Sequence, residues 1–214
     1  MKKIKKELWA VGLLLAFALW TVLLGSVDVK AIGPRGSAVG FATLNEAFHT
    51  LTGANMTLYV ITDWLGLVPI AVAFAFAVYG LVQWITRKSL RKVDKSLFIL
   101  AAFYLAVMAV YVLFEFVVIN RRPVLIEGVL EISYPSSTTL LVLCVMPTAM
   151  MELRECIKHK ILRCGVLITI LFFTVFMVVG RLLSGVHWLT DILGGALLSA
   201  GLVTAYAAAA KRLS

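Results

Sequence analysis

The stretch from Ile70 to Ile85 reads IAVAFAFAVYGLVQWI and is apolar on every face of a helix. A transmembrane β-strand would be shorter and would alternate apolar and polar residues. Runs of this kind recur along the chain between short polar breaks, and each is long enough to cross a hydrocarbon core about 30 Å thick as a helix. The pattern therefore predicts an all-α, polytopic membrane protein.

The composition of the whole chain is typical of a protein that has lipid as its solvent. Of the 214 residues, 62% are hydrophobic and 14% are charged, and the mean hydropathy is +1.00. These values exclude a soluble domain of ordinary composition. We expect a single membrane domain over residues 1–214, with six transmembrane helices in one bundle. The predicted spans cover about 7–26, 58–86, 96–119, 137–153, 162–183 and 189–210.

The net charge of +9 comes largely from cations in the predicted loops. In a soluble protein this charge would suggest a nucleic-acid partner. If six helices alternate through the membrane, most of the cations fall on one side, which the positive-inside rule assigns to the cytoplasm. They lie within residues 2–6, 87–92, 154–163 and 211–212. We therefore expect cytoplasmic N and C termini and no nucleic-acid partner.

The first apolar run, Leu8 to Leu24, follows four lysines, so a cleaved signal peptide is the alternative interpretation. The run is longer than a usual signal-peptide core, and Trp9 and Trp20 bracket it as interfacial anchors do. We expect it to be retained as the first span.

The longest polar segment lies between the first two spans and contains a candidate helix at about 41–52. Phe41, Leu44, Phe48 and Leu51 recur there at helical spacing, which predicts an amphipathic helix on the outer surface. Such a helix would cover a site or bind lipid, or it would be a connector that packs on the bundle.

Three polar clusters interrupt the apolar pattern at or near membrane depth, where unpaired charge is unfavourable and usually functional. Alternating spans bring all three clusters to the extracytoplasmic end of the bundle. They are NRRP at 120–123, YPSSTT at 134–139 and GRLLSGVHWLTD at 180–191.

The third cluster places His187 and Asp191 four residues apart at a helix start, so their side chains share one face. A carboxylate on one ring nitrogen fixes the tautomer and leaves the other nitrogen free to attack a phosphorus atom. Arg181 adds a fork of donors that matches phosphate oxygens. The alternative is a histidine in a short loop beside an ordinary helix-start aspartate.

The second cluster places hydroxyls and backbone N–H groups at the start of the fourth predicted helix, which is a site that favours anions. Alone, Ser136, Ser137 and Thr138 would be typical of a plain helix cap. Their position opposite Arg122 and Arg181 favours phosphate binding.

The order of these residues resembles the tripartite signature of the type 2 phosphatidic acid phosphatase family. Arg122-Pro123 is followed by Pro135-Ser136, then by Arg181, with His187 six residues later and Asp191 four after that. The resemblance covers about 115–191, and the six-span layout extends it over the chain. It implies that His187 is the nucleophile, forming a phosphohistidine, and that Asp191 orients it.

By the same resemblance, Arg122 and Arg181 clamp the phosphate, and Ser136, Ser137 and Thr138 complete the phosphate-binding site. The family's chemistry requires neither a metal nor another cofactor. The expected partner is a membrane lipid substrate, and the expected location is a plasma membrane, with the site on its extracytoplasmic side.

The chain departs from the family pattern at two positions. Glu115 stands where the family has a lysine, and Thr138 stands where it has the histidine that protonates the leaving oxygen. A threonine hydroxyl is too weakly acidic for that task, and loss of a general acid typically lowers a rate by about 10²- to 10⁴-fold. The penalty is smaller for a weakly basic leaving group, so Thr138 favours a diphosphate lipid, such as a polyprenyl diphosphate, over a monophosphate.

Glu115 has three interpretations. It is a substitute acid if burial raises its pKa, it pairs with Arg121 or Arg122 and holds that side chain in place, or it receives a cationic headgroup. We expect the pairing, with Arg121 supplying the positive charge of the family's lysine.

The sequence therefore predicts a lipid phosphate or diphosphate phosphohydrolase that acts through a phosphohistidine. Two alternatives stay open. One is a catalytically altered relative that binds or transports phospholipid, and the other is a transferase that passes the phosphoryl or head group to an alcohol.

Overall fold

The computed structural model describes the backbone of residues 2–213 and the side chains of residues 5–212. The prediction of an all-α protein is confirmed, since the described range contains helices and three isolated β-bridges but no strand. The helices are α1 Lys2–Leu24, α2 Ala42–Thr52, α3 Met56–Leu65, α4 Leu67–Arg87, α5 Lys95–Phe116, α6 Ser137–Cys156, α7 Lys160–Leu183 and α8 Leu189–Leu213.

Five helical segments of the described chain are long and apolar enough to cross a membrane, which confirms a multi-pass membrane protein. They are Lys5–Leu24, Met56–Arg87, Lys95–Phe116, Lys160–Leu183 and Leu189–Arg212. Helix α6 is not among them because polar and charged residues near both of its ends lower its apolar content.

Helix α6 nevertheless lies inside the bundle, because α4, α5, α7 and α8 all pack against it. Buried polar side chains of α6 are hydrogen-bonded inside the protein. The Tyr206 hydroxyl donates to the buried Glu152 carboxylate, and the hydroxyls of Tyr104 and Thr148 lie 3.2 Å apart. Hydrogen bonding of this kind removes most of the penalty for burying polar groups.

Helices α1 and α8 form the most extensive pair in the bundle. Gly201 permits their close approach, because a Cβ atom there would lie 2.8 Å from Leu14 Cδ2. The adjoining core contains Phe17 of α1, Leu100 of α5, and Tyr134 from the segment before α6. This packing fixes the start of α8, where the third polar cluster lies.

The second predicted span consists of two helices, α3 and α4, which meet at Gly66. Helix α3 packs against α7, and Gly180 permits this contact, because a Cβ there would lie 2.8 Å from Thr62 Cγ2. One face of α3, with Tyr59 and Asp63, is thereby placed beside the third polar cluster.

Helix α2 of the outer segment lies against the start of α8 and the loop that precedes it. The buried Asn45 side chain donates to Gly40 O at 2.8 Å and to Thr190 Oγ1 at 2.9 Å, and its Oδ1 accepts from Thr190 N at 3.2 Å. The rings of His49 and Trp188 pack with centroids 5.6 Å apart. The outer segment thus packs on the bundle and covers the loop that carries the third polar cluster.

Candidate active site

All three polar clusters contribute to the wall of one cavity of about 630 Å³ at a single end of the bundle. The predicted site residues that line it are Glu115, Arg121, Arg122, Ser137, Thr138, Arg181 and His187. Asp191 and Ser136 lie behind this wall and are fully buried.

The geometry around His187 fixes which ring nitrogen carries the proton. Its Nδ1 lies 3.1 Å from the backbone oxygen of Ser133, and a carbonyl oxygen only accepts hydrogen bonds, so Nδ1 carries the hydrogen in the neutral ring. The Nε2 atom is buried and has no hydrogen-bond partner among the described residues. His187 therefore presents a free lone pair on Nε2 at the cavity wall.

The surroundings of His187 also keep its ring uncharged. The residue lies in the loop between α7 and α8. Burial, and then the positive charges of Arg122 and Arg181, lower the pKa of His187 well below its ordinary value. The ring is thus neutral near pH 7, which is the state that a nucleophilic imidazole requires.

The expected direct contact between Asp191 and His187 is not formed, and Ser133 lies between them. Ser133 Oγ donates to Asp191 Oδ2 at 2.5 Å and lies 3.0 Å from His187 Nδ1. The physical reason is that Asp191 Oδ2 also accepts from the backbone N of Trp188 at 3.0 Å. The carboxylate therefore bends back to cap the start of α8, and the serine hydroxyl spans the remaining gap.

Asp191 is held from a second side by the first polar cluster. Its Oδ1 accepts from Asn120 Nδ2 at 3.0 Å, and Asn120 is itself buried. The carboxylate thus has three donors, from Asn120, Ser133 and Trp188, which is the compensation that a buried charge requires.

The roles of Ser133 and Asn120 were not predicted from the sequence. Both belong to a short loop that folds back on itself between α5 and α6, where Ser133 N donates to Asn120 O at 2.9 Å and Arg122 N donates to Glu131 O at 3.1 Å. The available signal was position, because Asn120 opens the first polar cluster and Ser133 directly precedes the second.

Arg181 is 1% exposed and forms the inner part of the cavity wall. Its Nη1 lies 3.4 Å from both Asp63 Oδ1 and Thr62 Oγ1, and its guanidinium carbon lies 5.0 Å from the centre of the Tyr59 ring. Its Nε has no hydrogen-bond partner among the described residues. These long contacts leave donors of Arg181 available to an anion.

Arg122 also lies over the Tyr59 ring, with its guanidinium carbon 5.6 Å from the ring centre. Its Nε forms an ion pair with Glu131 Oε2 at 3.0 Å, but the N–H does not point at the oxygen, so Nε and Nη1 are both without a hydrogen bond in the described chain. Buried guanidinium donors without acceptors are uncommon in proteins. Together, the two arginines provide a place for an anion with several oxygens.

The structure separates the three residues of the second cluster that were expected to bind phosphate. Ser137 and Thr138 line the cavity. Ser136 does not, because its N donates to Asp191 O at 3.2 Å and its Oγ accepts from Thr139 Oγ1 at 3.0 Å. Ser136 therefore supports the start of α6 from behind the wall.

The expected pairing of Glu115 with Arg121 or Arg122 is also not formed. Arg122 pairs with Glu131, because the loop between α5 and α6 folds that residue onto it. Arg121 Nη1 donates to Leu130 O at 3.0 Å. Glu115 is exposed, lines the cavity, and has no ion-pair partner within residues 5–212.

His187 is the one histidine that lines this cavity in the described chain. His49 packs against Trp188 on α2, and His159 caps α7 at the opposite end of the bundle. A second imidazole is thus absent from the described wall.

A second, apolar cavity of about 600 Å³ lies between α4 and α5 and has Ile70 in common with the polar cavity. Phe74 and Ala77 of α4 and Ala101 and Leu105 of α5 are among its lining residues. The adjoining pair of cavities fits a ligand with an anionic head and an apolar tail.

Comparison with known proteins gives one family model whose match includes all three clusters. Residues 116–213 match the family model of the PAP2 superfamily. The crystal structure of a transmembrane PAP2 type phosphatidylglycerolphosphate phosphatase from Bacillus subtilis is similar over 96% of this chain and 97% of that chain, with a TM-score of 0.53 and 20% sequence identity. At this identity the likeness shows a shared fold. No curated protein matches the sequence.

Proposed function

We propose that this chain, which belongs to the type 2 phosphatidic acid phosphatase family, is a multi-pass membrane enzyme that hydrolyses a lipid phosphate through a phosphohistidine on His187. Family membership, as the sequence predicted, is confirmed by the match over residues 116–213, a range that includes all three polar clusters. The observation that carries the proposal is the unpartnered His187 Nε2 beside two arginines with free donors.

The first step forms one bond and breaks one. His187 Nε2 attacks the phosphorus atom of a phosphate held by Arg122 and Arg181, and the P–O bond to the leaving group breaks with its electron pair. The arginine N–H groups stabilise the negative charge on the phosphoryl oxygens. Water then attacks the phosphohistidine, releases inorganic phosphate and regenerates the neutral ring.

A diphosphate lipid is the substrate that this site favours. The cavity wall offers Thr138 where the family has a proton-donating histidine, and His187 is the one histidine of the described wall. A lipid diphosphate expels a phosphate monoester, which needs little protonation, whereas a lipid monophosphate expels a strongly basic alkoxide. The apolar cavity beside Ile70 would hold the first part of the lipid tail.

The proposed topology has six crossings, with α3 and α4 together forming the second and α6 the fourth. Helix α6 is shielded from lipid by four neighbouring helices, so its polar residues are compatible with a span. The cation-rich loops lie at the end opposite the site, and the positive-inside rule therefore supports a cytoplasmic location for that end. The site would then face the extracytoplasmic side of a plasma membrane.

One observation favours a second candidate substrate. Glu115 lines the cavity without an ion-pair partner in the described chain, and a free carboxylate would attract a cationic group. A zwitterionic phospholipid would place its phosphate on the arginines and its amine near Glu115.

The test offers a lipid diphosphate, the matching monophosphate and a zwitterionic phospholipid separately to the purified protein in detergent. Release of inorganic phosphate is measured for the first two lipids, and release of the phosphorylated headgroup for the third, which is a phosphodiester. We expect cleavage of the diphosphate, its loss in His187→Ala, and an acid-labile phosphoryl label on the wild type. His159→Ala, at the far end of the bundle, is the matched control and retains activity.

A Thr138→His variant tests the substrate preference, because it restores the family's proton donor. We expect it to raise turnover of the monophosphate more than that of the diphosphate. Equal turnover of both lipids by the wild type would contradict the diphosphate preference. Lipid binding without cleavage of any of the three would replace the phosphatase proposal with a binding protein or a transferase.

A further inference from the structure

We infer that Ser133 is a positioning residue through which Asp191 acts on His187, so that the orienting unit is a chain of three side chains and not a histidine–carboxylate pair. The inference rests on the proposed function of His187 as the nucleophile. It concerns how that ring is held and how its charge is stabilised.

The donor and acceptor capacities of the three side chains define the direction of each hydrogen bond. Ser133 Oγ has one proton, and it donates that proton to Asp191 Oδ2 at 2.5 Å, because an ionised carboxylate only accepts. Toward His187 the same oxygen must therefore act as an acceptor. The Nδ1–H of His187 lies 3.0 Å from Ser133 Oγ and 3.1 Å from Ser133 O, so both acceptors for this proton belong to one residue.

Burial makes this chain of hydrogen bonds effective. Ser133, His187 and Asp191 are 2%, 3% and 0% exposed, respectively. Water competes little with hydrogen bonds at such positions, and the low local dielectric strengthens the interaction of each group with its neighbour. A carboxylate that polarises the serine hydroxyl makes that oxygen a better acceptor for the imidazole N–H.

The need for this acceptor increases during the reaction. When Nε2 bonds to phosphorus and the P–O bond to the leaving group breaks, the ring gains positive charge while Nδ1 keeps its hydrogen. The Nδ1–H then becomes a stronger donor, and Ser133, backed by Asp191, stabilises the cation without a proton moving to the carboxylate. Ser133 would thus assist the transition state more than the bound substrate.

The structural role of Ser133 depends on its backbone, and this role does not require the side-chain hydroxyl. Ser133 N already closes the loop by donating to Asn120 O at 2.9 Å, and that bond is independent of the side chain. An alanine at 133 would retain the loop closure and the carbonyl acceptor, and it would remove only the link to Asp191.

The experiment is a double-mutant cycle with Ser133→Ala, Asp191→Asn and the combined variant. We expect Ser133→Ala to lower kcat about 10²-fold with little change in KM, because an interaction that matters mainly in the transition state is lost. If Asp191 acts through Ser133, the combined variant loses no more than the more damaging single variant. Ser133→Thr, which retains the hydroxyl, restores most of the activity.

The control is Ser199→Ala, which removes another buried serine hydroxyl. This hydroxyl lies on α8, where it donates to Gly195 O at 2.7 Å and lies 3.4 Å from Leu140 O. The control variant retains wild-type kcat. Multiplicative losses in the double-mutant cycle, or a rise in KM with kcat unchanged, would overturn the inference and leave Ser133 a packing residue.

A second readout does not depend on turnover. In protein labelled with ¹⁵N-histidine, the Nδ1–H proton signal of His187, assigned by its loss in His187→Ala, should move in Ser133→Ala and in Asp191→Asn and should move no further in the combined variant. An unchanged signal in Asp191→Asn would contradict the connection. Absence of phosphate release by the wild type would instead refute the proposed function and leave this spectroscopic test intact.

Discussion

The two sides of the polar cavity differ in how completely their polar atoms are paired. On the histidine side, Asp191 has three donors and the Nδ1 of His187 has two acceptors. On the arginine side, Arg181 makes contacts of 3.4 Å, and donors of both arginines are without an acceptor among the described residues. The histidine side is already organised, whereas the arginine side has donors that a bound anion would satisfy.

This difference assigns separate tasks to the two sides. A nucleophile gains from a fixed orientation before the substrate arrives, because ordering it later would consume binding free energy. A phosphate site gains from donors without internal acceptors, because each such donor finds its acceptor only in the bound anion. The predictions below remove one side at a time, from the largest expected effect to the smallest.

Removal of the inner guanidinium should have the largest effect on the arginine side. We expect Arg181→Lys to lower kcat/KM about 10²- to 10³-fold, because a point charge cannot reproduce the fork of donors that a phosphoryl group meets. The measurement is steady-state phosphate release from a lipid diphosphate. Arg154→Lys, on α6 near the cation-rich end of the bundle, is the matched control, and an equal loss in both variants would contradict a specific role for Arg181.

The sequence predicted the members of the site better than their contacts. The predicted spans depend on the length and composition of apolar runs, and the interpretation of His187 and Asp191 depends on their spacing. Both features are local and visible in the residues. That Ser133 stands between the histidine and the aspartate depends on how the loop from 120 to 133 folds back, and on Asp191 capping α8. Neither is encoded in spacing alone.

The pairing of charges was the least predictable feature. Glu115 precedes Arg121 and Arg122 by six and seven residues, and it was expected to pair with one of them. The folded loop brings Glu131 to Arg122 instead. Which of two carboxylates reaches an arginine is decided by tertiary geometry, and proximity along the chain does not determine it.

On the histidine side, Asn120→Ala tests whether the pairing of Asp191 is needed. The variant leaves one oxygen of a buried carboxylate without its donor, which should destabilise the fold by about 1–3 kcal/mol and lower kcat about 10-fold through a less ordered Asp191. Thermal unfolding and phosphate release should be measured together. A loss of stability with full activity would show that Asp191 does not depend on Asn120 for its catalytic position.

The neutral His187 ring predicts a pH profile. Because burial and the two arginines lower its pKa, kcat/KM should not fall near pH 6.5, where an ordinary histidine titrates, and it should decline only at more acidic pH. The unfolded chain binds a proton on this ring at a higher pH than the folded chain does, so its contribution to stability is present above about pH 6.5 and is lost as pH falls below that value. The result that would contradict a neutral, shielded ring is a fall of kcat/KM centred at pH 6.5. This fall should persist in Asp191→Asn, which shows that it does not come from the Asp191 carboxylate.

The smallest effect is expected from Asp63, whose carboxylate contacts Arg181. The Asp63 side chain is 55% exposed, and its Oδ1 lies 3.4 Å from Arg181 Nη1. Partly exposed ion pairs of this length contribute at most about 1 kcal/mol, so replacing the carboxylate should free the guanidinium at little cost to the fold.

We therefore expect Asp63→Asn to tighten inhibition by inorganic phosphate by up to about fivefold, which corresponds to about 1 kcal/mol, because phosphate no longer competes with a carboxylate for Arg181. Asp94→Asn, which removes a carboxylate paired with Arg87 at the opposite end of the bundle, should leave the inhibition constant unchanged. Weaker inhibition in Asp63→Asn would mean that the carboxylate positions Arg181 for phosphate. In that case the arginine side would be as organised in advance as the histidine side.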